Sequence, residues 1–263
     1  MLALRRPVRG HDKPADPDTT ASAPPRWLID RRVAALLFVI LATGLTVHAA
    51  QRLGEALDEP ALRPWLLFAD TALKSLIAVA FAVFIYRRKP SRRPARSPLA
   101  FAACAAAILP GILLAAPGAD AAIWAVIAGE LLVIVAVGFT LASVLCLGTC
   151  FGVLPEVRGL VTRGPYQYVR HPVYLGEIAA FGGFVLASQR PVNVVLLLVF
   201  CAAQAVRLRL EEAVLLDAFP AEYGVFAART PRLLPRLRRP TEPMADQILN
   251  SQIDKDRACI AHG

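Results

Sequence analysis

Apolar residues fall in six long runs along the chain, separated by short polar segments and flanked by polar ends. The runs cover residues 33–50, 65–86, 99–116, 121–147, 173–188 and 191–206. A helix that crosses a bilayer needs about 20 apolar residues, within a range of about 17–25. The first four runs reach that range, whereas the last two are shorter and only a short turn separates them. The pattern predicts an all-α polytopic transmembrane bundle of five to six spans, in which the last two runs form a helical hairpin.

The same pattern divides the chain into four regions. Residues 1–32 are rich in Pro, Asp, Thr and Arg, and we expect a disordered tail there. Residues 33–147 hold the first four predicted transmembrane helices. Residues 148–239 hold the hairpin and most of the clustered polar side chains, so we expect the chemistry and any cofactor pocket in this region. Residues 240–263 are polar and aperiodic, which predicts a flexible tail.

Composition and charge exclude other classes of protein. Hydrophobic residues make up 56% of the 263 residues and charged residues 19%, whereas a soluble domain has roughly 45–50% and about 25%. The net charge of +9 would be compatible with a nucleic-acid partner. However, 25 of the 29 basic residues lie on alternate polar segments that would share one side of the membrane. By the positive-inside rule, both termini are predicted to be cytoplasmic, and no nucleic acid is expected as a partner.

Three charged residues interrupt the first four apolar runs. Asp70 and Lys74 lie four residues apart on one helical face, so mutual neutralisation is the favoured interpretation. Glu130 has no partner nearby in sequence, and a packing role and a site role are equally open. Because charges inside a bilayer are costly and often functional, these three residues support an alternative hypothesis of a membrane transporter.

The densest group of polar residues precedes the fifth run, between Leu160 and Glu177. Pro172 is well placed as the first residue of a helix, where its missing N–H has no cost. His171 would then lie at the membrane surface beside the free N–H groups of that helix, a position that suits an anion. Tyrosines at a membrane interface are routine anchors, so this segment alone does not establish a binding site.

A second polar group follows the sixth run. Arg207 and Glu211 lie four residues apart on a helix that would continue out of the membrane, and Glu212 lies beside them. Alone, they could be solvated salt bridges on a cytoplasmic C-terminal helix. The hairpin, however, would bring this group back beside His171 and Tyr174. We therefore expect a polar pocket on the cytoplasmic side, closed by tyrosines.

The two groups together resemble the isoprenylcysteine carboxyl methyltransferase family and the related phospholipid methyltransferases. The resemblance rests on Gly164-Pro165-Tyr166, Arg170-His171-Pro172 with Tyr174, the hydrophobic hairpin, Glu211-Glu212, Tyr223 and Arg229 with Pro231. It covers about residues 145–236. It implies an integral membrane enzyme that uses S-adenosylmethionine as the cofactor. The cofactor contacts that it implies are Leu160, Val161, Tyr166, His171, Pro172, Val173, Tyr174 and Glu211. It also implies that Arg207 binds the substrate.

The acceptor of the methyl group is expected to be a lipophilic small molecule or a lipid. A carboxylate acceptor such as an isoprenylcysteine-like group is favoured, because Arg207 could hold it by a two-point contact and no base would be needed. A lipid amine or thiol stays possible, and Glu212 or Glu177 could then act as the base. Arg207 and Glu212 are thus the candidate catalytic residues. No metal is expected. The bacterial inner membrane is the expected location, and a non-catalytic membrane scaffold remains a third hypothesis.

Overall fold

The structure is a computed structural model, which describes residues 31–58, 61–88, 97–115, 121–150, 152 and 158–235. Both predicted tails lie almost wholly outside the described residues. The described part contains seven α-helices and no strand, so the predicted all-α class is confirmed. In chain order they are α1 (Arg31–Asp58), α2 (Leu62–Arg87), α3 (Pro98–Ile112), α4 (Ile123–Leu147), α5 (Pro172–Ser188), α6 (Pro191–Ala218) and α7 (Pro220–Arg229).

Four of these helices, α1, α2, α4 and α6, are long and apolar enough to cross a membrane. Their outward surfaces carry large exposed apolar side chains, among them Leu37, Ile40, Val135 and Leu198. In water such apolar surfaces would favour aggregation. In lipid they are stable, because the side chains are apolar and the helix already pairs its own backbone N–H and C=O groups. The chain is therefore a helical membrane protein.

Several helices differ in length from their apolar runs, among them α1, which has 28 residues against a run of 18. Helices α3 and α6 bear on the site. The third run has 18 residues in sequence, but α3 has 15 residues and ends at Ile112, two residues after Pro110, which has no N–H for the helical hydrogen bond. The sixth run, by contrast, is only the first part of α6, which continues for 28 residues. At about 1.5 Å per residue α6 is roughly 42 Å long, whereas the hydrocarbon core of a bilayer is about 30 Å thick. The end of α6 that carries Arg207 and Glu211 can therefore project beyond the hydrocarbon core.

The predicted hairpin is formed by α5 and α6. Gln189 adopts a left-handed backbone conformation with φ of 51° at the end of α5, and Pro191 begins α6. Asn193 is fully buried and links the turn by hydrogen bonds to the segment that follows α3. Its Nδ2 donates to Ala115 O at 2.8 Å and to Ser188 Oγ at 2.8 Å, and its Oδ1 accepts from Ala115 N at 2.9 Å.

Helix α5 packs closely against α4 through glycines. A Cβ atom added to Gly183 would lie 2.8 Å from Gly129 O and 2.9 Å from Val133 Cγ2. Elsewhere along the same crossing, a Cβ atom added to Gly176 would overlap the Thr140 side chain. Small residues let membrane helices approach this closely. The crossing fixes the position of α5, whose first turn carries the polar residues described next.

Candidate active site

A cavity of about 480 Å³ lies inside the bundle and is lined by residues from all six helices α1 to α6. The polar side chains of its wall are those of Lys74, Cys104, Tyr166, Arg170, His171, Tyr174, Glu177, Arg207 and Glu211. The apolar side chains of the wall are more numerous and include those of Phe38, Phe81, Ala107, Ile108, Leu114, Val133, Ala180, Phe181, Phe184 and Phe200. A mostly apolar cavity with a few convergent polar groups is typical of a small-molecule site.

A short 3₁₀ turn, Gly164–Gln167, positions Tyr166 on the cavity wall. Gly164 has φ of 59°, and an added Cβ would lie 2.7 Å from Cys146 Sγ on α4. Glycine is therefore required both for the backbone conformation and for the close approach to α4. Burial, with the nearby Glu211 carboxylate, raises the pKa of Tyr166 well above its usual value. The Tyr166 phenol is consequently neutral and available as a hydrogen-bond donor or a ring surface.

The hairpin brings Tyr174 of α5 beside Glu211 and Arg207 of α6, as expected. Tyr174 Oη donates to Glu211 Oε2 at 2.8 Å. The Arg207 guanidinium carbon lies 5.0 Å from the centre of the Tyr174 ring, a cation–π distance. Arg207 also donates to Gln204 Oε1 at 2.8 Å, and its guanidinium lies 4.0 Å from Glu177 Oε2. A cation and two carboxylates therefore share this part of the cavity wall.

Glu212 lies next to Glu211 in sequence but has different surroundings. Its Oε1 lies 2.7 Å from an Arg170 guanidinium nitrogen and 3.2 Å from His171 Nε2. Its Oε2 accepts from Arg232 Nε at 3.0 Å and lies 2.9 Å from a second Arg232 nitrogen. Glu212 is not among the residues that line the cavity. It joins the α5 N-terminus to the segment after α7.

Backbone hydrogen bonds reinforce that junction. Arg170 N donates to Pro231 O at 2.8 Å, and His171 N donates to Arg232 O at 3.1 Å. We call Glu212, Arg170, His171 and the segment 230–232 the clasp. Tyr223 of α7 packs nearby, and burial together with the Glu212 carboxylate raises its pKa to about 12. The clasp fixes the direction of the His171 and Arg170 side chains at the cavity.

The residues predicted as cofactor contacts separate into two groups. Five of the eight line the cavity, namely Tyr166, His171, Val173, Tyr174 and Glu211. The other three lie behind the wall. Leu160 is buried against Tyr223 and Phe226, and Val161 against Cys150 and Tyr166. Pro172 is buried as the first residue of α5.

Sequence reasoning missed several residues of the site. Gln204 is almost fully buried and bridges Glu177 and Arg207. An amide side chain in the apolar stretch that precedes Arg207 was a usable signal for it. Cys104 on α3 also lines the cavity, and only the fold could reveal that.

The charged residues of the first four apolar runs lie on α2 and α4. Lys74 Nζ donates to Asp70 Oδ2 at 2.6 Å, so the favoured mutual neutralisation is confirmed. Glu130 is buried on α4. Lys74 lines the main cavity and also a second cavity of about 280 Å³, which it shares with Phe38, Phe81, Glu177 and Ala180. Within the residues described, no three His, Cys, Asp or Glu side chains are grouped so as to hold a metal ion.

Comparison with known proteins finds similarities over this part of the chain. A family model described as "Phospholipid methyltransferase" matches residues 124–222, which include α4, α5 and α6. The resemblance expected from the sequence over about residues 145–236 is thus confirmed as far as residue 222. The chain is also similar to the cobalt-zinc-cadmium resistance protein CzcN of Cupriavidus metallidurans, with 38% identity over 79 residues. That alignment covers 30% of this chain and 36% of the relative.

Proposed function

Starting from the match of residues 124–222 to the phospholipid methyltransferases, we propose that this membrane protein is an S-adenosylmethionine-dependent methyltransferase. We propose that its acceptor is lipophilic, either a lipid or a small molecule with an apolar chain. The observation that carries the proposal is that one cavity, of about 480 Å³, is lined both by charged groups of either sign and by aromatic and other apolar side chains. A hydrophilic substrate would gain nothing from that apolar part.

The chemistry of the cavity wall fits the cofactor. S-adenosylmethionine has an ammonium, a carboxylate, a sulfonium and an adenine ring. The Glu211 carboxylate suits the ammonium, and His171 with the N–H groups of the first turn of α5 suits the carboxylate. The Tyr166 and Tyr174 rings suit the adenine or the sulfonium. The volume of about 480 Å³ also lies within the range of roughly 300–1,000 Å³ that is usual for ligand sites.

Each residue then has a role that follows from its contacts. The cofactor, when bound, supplies an electrophilic methyl group. Tyr174 holds the Glu211 carboxylate by its hydrogen bond, and Arg207 faces the acceptor. Glu212, through the clasp, acts as a positioning residue for His171 instead of a base. The phenylalanines of the apolar wall exclude water from the reacting groups, and positioning with desolvation is how a displacement of this kind is accelerated.

The location follows from the same arrangement. With the basic segments on the cytoplasmic side, the end of α6 and the clasp face the cytoplasm, where the cofactor is made available. A bacterial inner membrane suits this orientation. The acceptor would enter from the bilayer with its chain between the helices.

Calorimetry of the detergent-purified chain with S-adenosylmethionine tests the proposal. We expect saturable binding that Glu211→Gln weakens by about tenfold, the usual order of effect for losing a charge-assisted contact. Glu55→Gln is the matched control, because Glu55 is exposed and paired with Arg52 on α1. A chain that binds no cofactor would refute the methyltransferase. Ion or solute flux that needs Asp70 or Glu130 would then favour the transporter, and the absence of both activities would favour a scaffold.

A further inference from the structure

Gln204 is a buried polar side chain in the apolar part of α6, three residues before Arg207. Only 1% of its surface is exposed, so its amide must find hydrogen-bond partners within the protein. Its two partners have opposite charges. Nε2 donates a short hydrogen bond to Glu177 Oε2 on α5, and Oε1 accepts from Arg207 Nη1 at 2.8 Å. An amide suits this place because it has both a donor and an acceptor, whereas a carboxylate only accepts and a guanidinium only donates.

The two charged groups that Gln204 joins are not in direct contact with each other. Nη1 of Arg207 lies 4.0 Å from Glu177 Oε2, whereas a charge-assisted hydrogen bond between such groups is about 2.7–2.9 Å long. The Arg207 side chain is mostly buried, and attraction between opposite charges is strong where water is scarce. The gap therefore needs a cause. The two hydrogen bonds of Gln204 supply one, because they hold the facing atoms of both groups.

Lys74 is the other cation that lines both cavities with Glu177. Its Nζ donates to Asp70 Oδ2 at 2.6 Å, so this ammonium already has an anionic partner on its own helix. Arg207 is thus the cation toward which Glu177 would move if Gln204 no longer held it.

The remaining anion of this part of the wall is Glu211, which accepts from Tyr174 Oη at 2.8 Å. The Tyr174 ring lies against the Arg207 guanidinium, whose carbon is 5.0 Å from the ring centre. Glu211 is therefore held by a contact of its own, and the Tyr174 ring covers one face of the guanidinium. Closing the gap to Glu177 would need only a small movement of Arg207 within this arrangement.

We propose that Gln204 is a positioning residue, which keeps Arg207 and Glu177 from closing into a direct salt bridge and so leaves both groups available to the cavity. The inference rests on the proposed function, in which Arg207 faces the acceptor. Arginine and a carboxylate in direct contact often share two parallel N–H···O bonds. Those N–H groups would then be lost to a ligand, whereas the Gln204 amide accepts from a single nitrogen.

Thermal unfolding of four chains tests this separation without cofactor or acceptor. The four are the unmodified protein, Gln204→Met, Glu177→Gln and the double variant. Methionine is unbranched like glutamine but has no N–H donor, so we expect the direct salt bridge to form in Gln204→Met. Adding Glu177→Gln breaks that buried pair. It should therefore lower Tm by about 4 °C or more beyond its effect in the unmodified chain. Tm changes that simply add would overturn the inference.

Gln51→Met is the matched control for this cycle. Gln51 is exposed on α1, so the same chemical change there should leave Tm unchanged and should show no coupling to Glu177→Gln.

Methyl transfer into a bacterial membrane lipid extract should respond in the opposite direction. Gln204→Met should raise the half-saturating concentration of extract by about tenfold, while cofactor affinity in calorimetry stays the same. Adding Glu177→Gln should lower that concentration again, because the guanidinium is released. The maximal rate is fitted separately, so a change in the chemistry at Glu177 does not enter the comparison.

The outcomes separate this inference from the proposed function. If Gln204 only fills space, a second substitution at Glu177 cannot rescue Gln204→Met, so a double variant with no lower half-saturating concentration would overturn the positioning role. An unmodified chain that neither binds the cofactor nor transfers a methyl group would refute the methyltransferase. The Tm cycle would still decide whether Gln204 holds the two charged groups apart.

Discussion

The substitution Glu212→Ala would remove the carboxylate at the centre of the clasp. The carboxylate is the shared partner of Arg170, His171 and Arg232. The Arg170 side chain is only 13% exposed, so removing its partner leaves a nearly buried cation uncompensated. Breaking a buried pair from one side costs about 3–5 kcal/mol. The Arg232 side chain is 57% exposed, and its pair with Glu212 adds only about 0–1 kcal/mol.

We therefore expect Glu212→Ala to lower the free energy of unfolding by about 3 kcal/mol. This value is at the lower end of the range for a buried pair, because water can reach the exposed side of the clasp. For chains of about 150–250 residues, 1 kcal/mol corresponds to a shift of about 2–4 °C in Tm. The predicted fall is thus roughly 6–12 °C, measured by tryptophan fluorescence of the purified chain in detergent. Arg232→Ala is the matched control, and its Tm should fall by no more than about 4 °C.

Cofactor affinity distinguishes a clasp from a direct contact. If Glu212 only positions His171, Glu212→Ala should lower cofactor affinity and stability together, and Arg232→Ala should produce a weaker form of both effects. A variant Glu212→Ala with the original Tm and no cofactor binding would refute this reasoning, because Glu212 would then contact the cofactor itself.

Three further changes test the fold and the polar wall. Gly183→Ala places a Cβ within 2.8 Å of the α4 backbone and should cost about 1–3 kcal/mol, seen as a lower Tm. Asn193→Leu leaves the N–H and C=O of Ala115 without their partners and should cost about 2–4 kcal/mol by the same measurement. Tyr174→Phe removes the hydroxyl that holds Glu211 and should weaken cofactor binding by about 3–10-fold in calorimetry, with little change in Tm.

The hairpin and much of the cavity wall were predictable from sequence. The spacing of the last two apolar runs placed α5 beside α6, and helical periodicity placed Arg207 and Glu211 one turn apart. The roles of the two adjacent glutamates were not predictable in this way. Neighbouring residues on a helix point about 100° apart, and only the packing decides which of them faces the cavity.

Other features depend on contacts distant in sequence. Nothing local indicates that Arg232 meets Glu212, because backbone hydrogen bonds from the start of α5 bring that segment into place. The length of α3 was overestimated because hydropathy does not register the effect of Pro110 on helix continuity. Glu177 was visible in the sequence as a possible base, but its position between two cavities required the fold.

Transfer of a labelled methyl group tests the central claim most directly. The purified chain is incubated with methyl-labelled S-adenosylmethionine and a bacterial membrane lipid extract, and label is counted in the organic phase. We expect a labelled lipophilic product with the unmodified chain and with Glu55→Gln, and much less at the same cofactor concentration with Glu211→Gln or Arg207→Ala. Label that never enters the organic phase, although the cofactor binds, would contradict the account of a lipophilic acceptor.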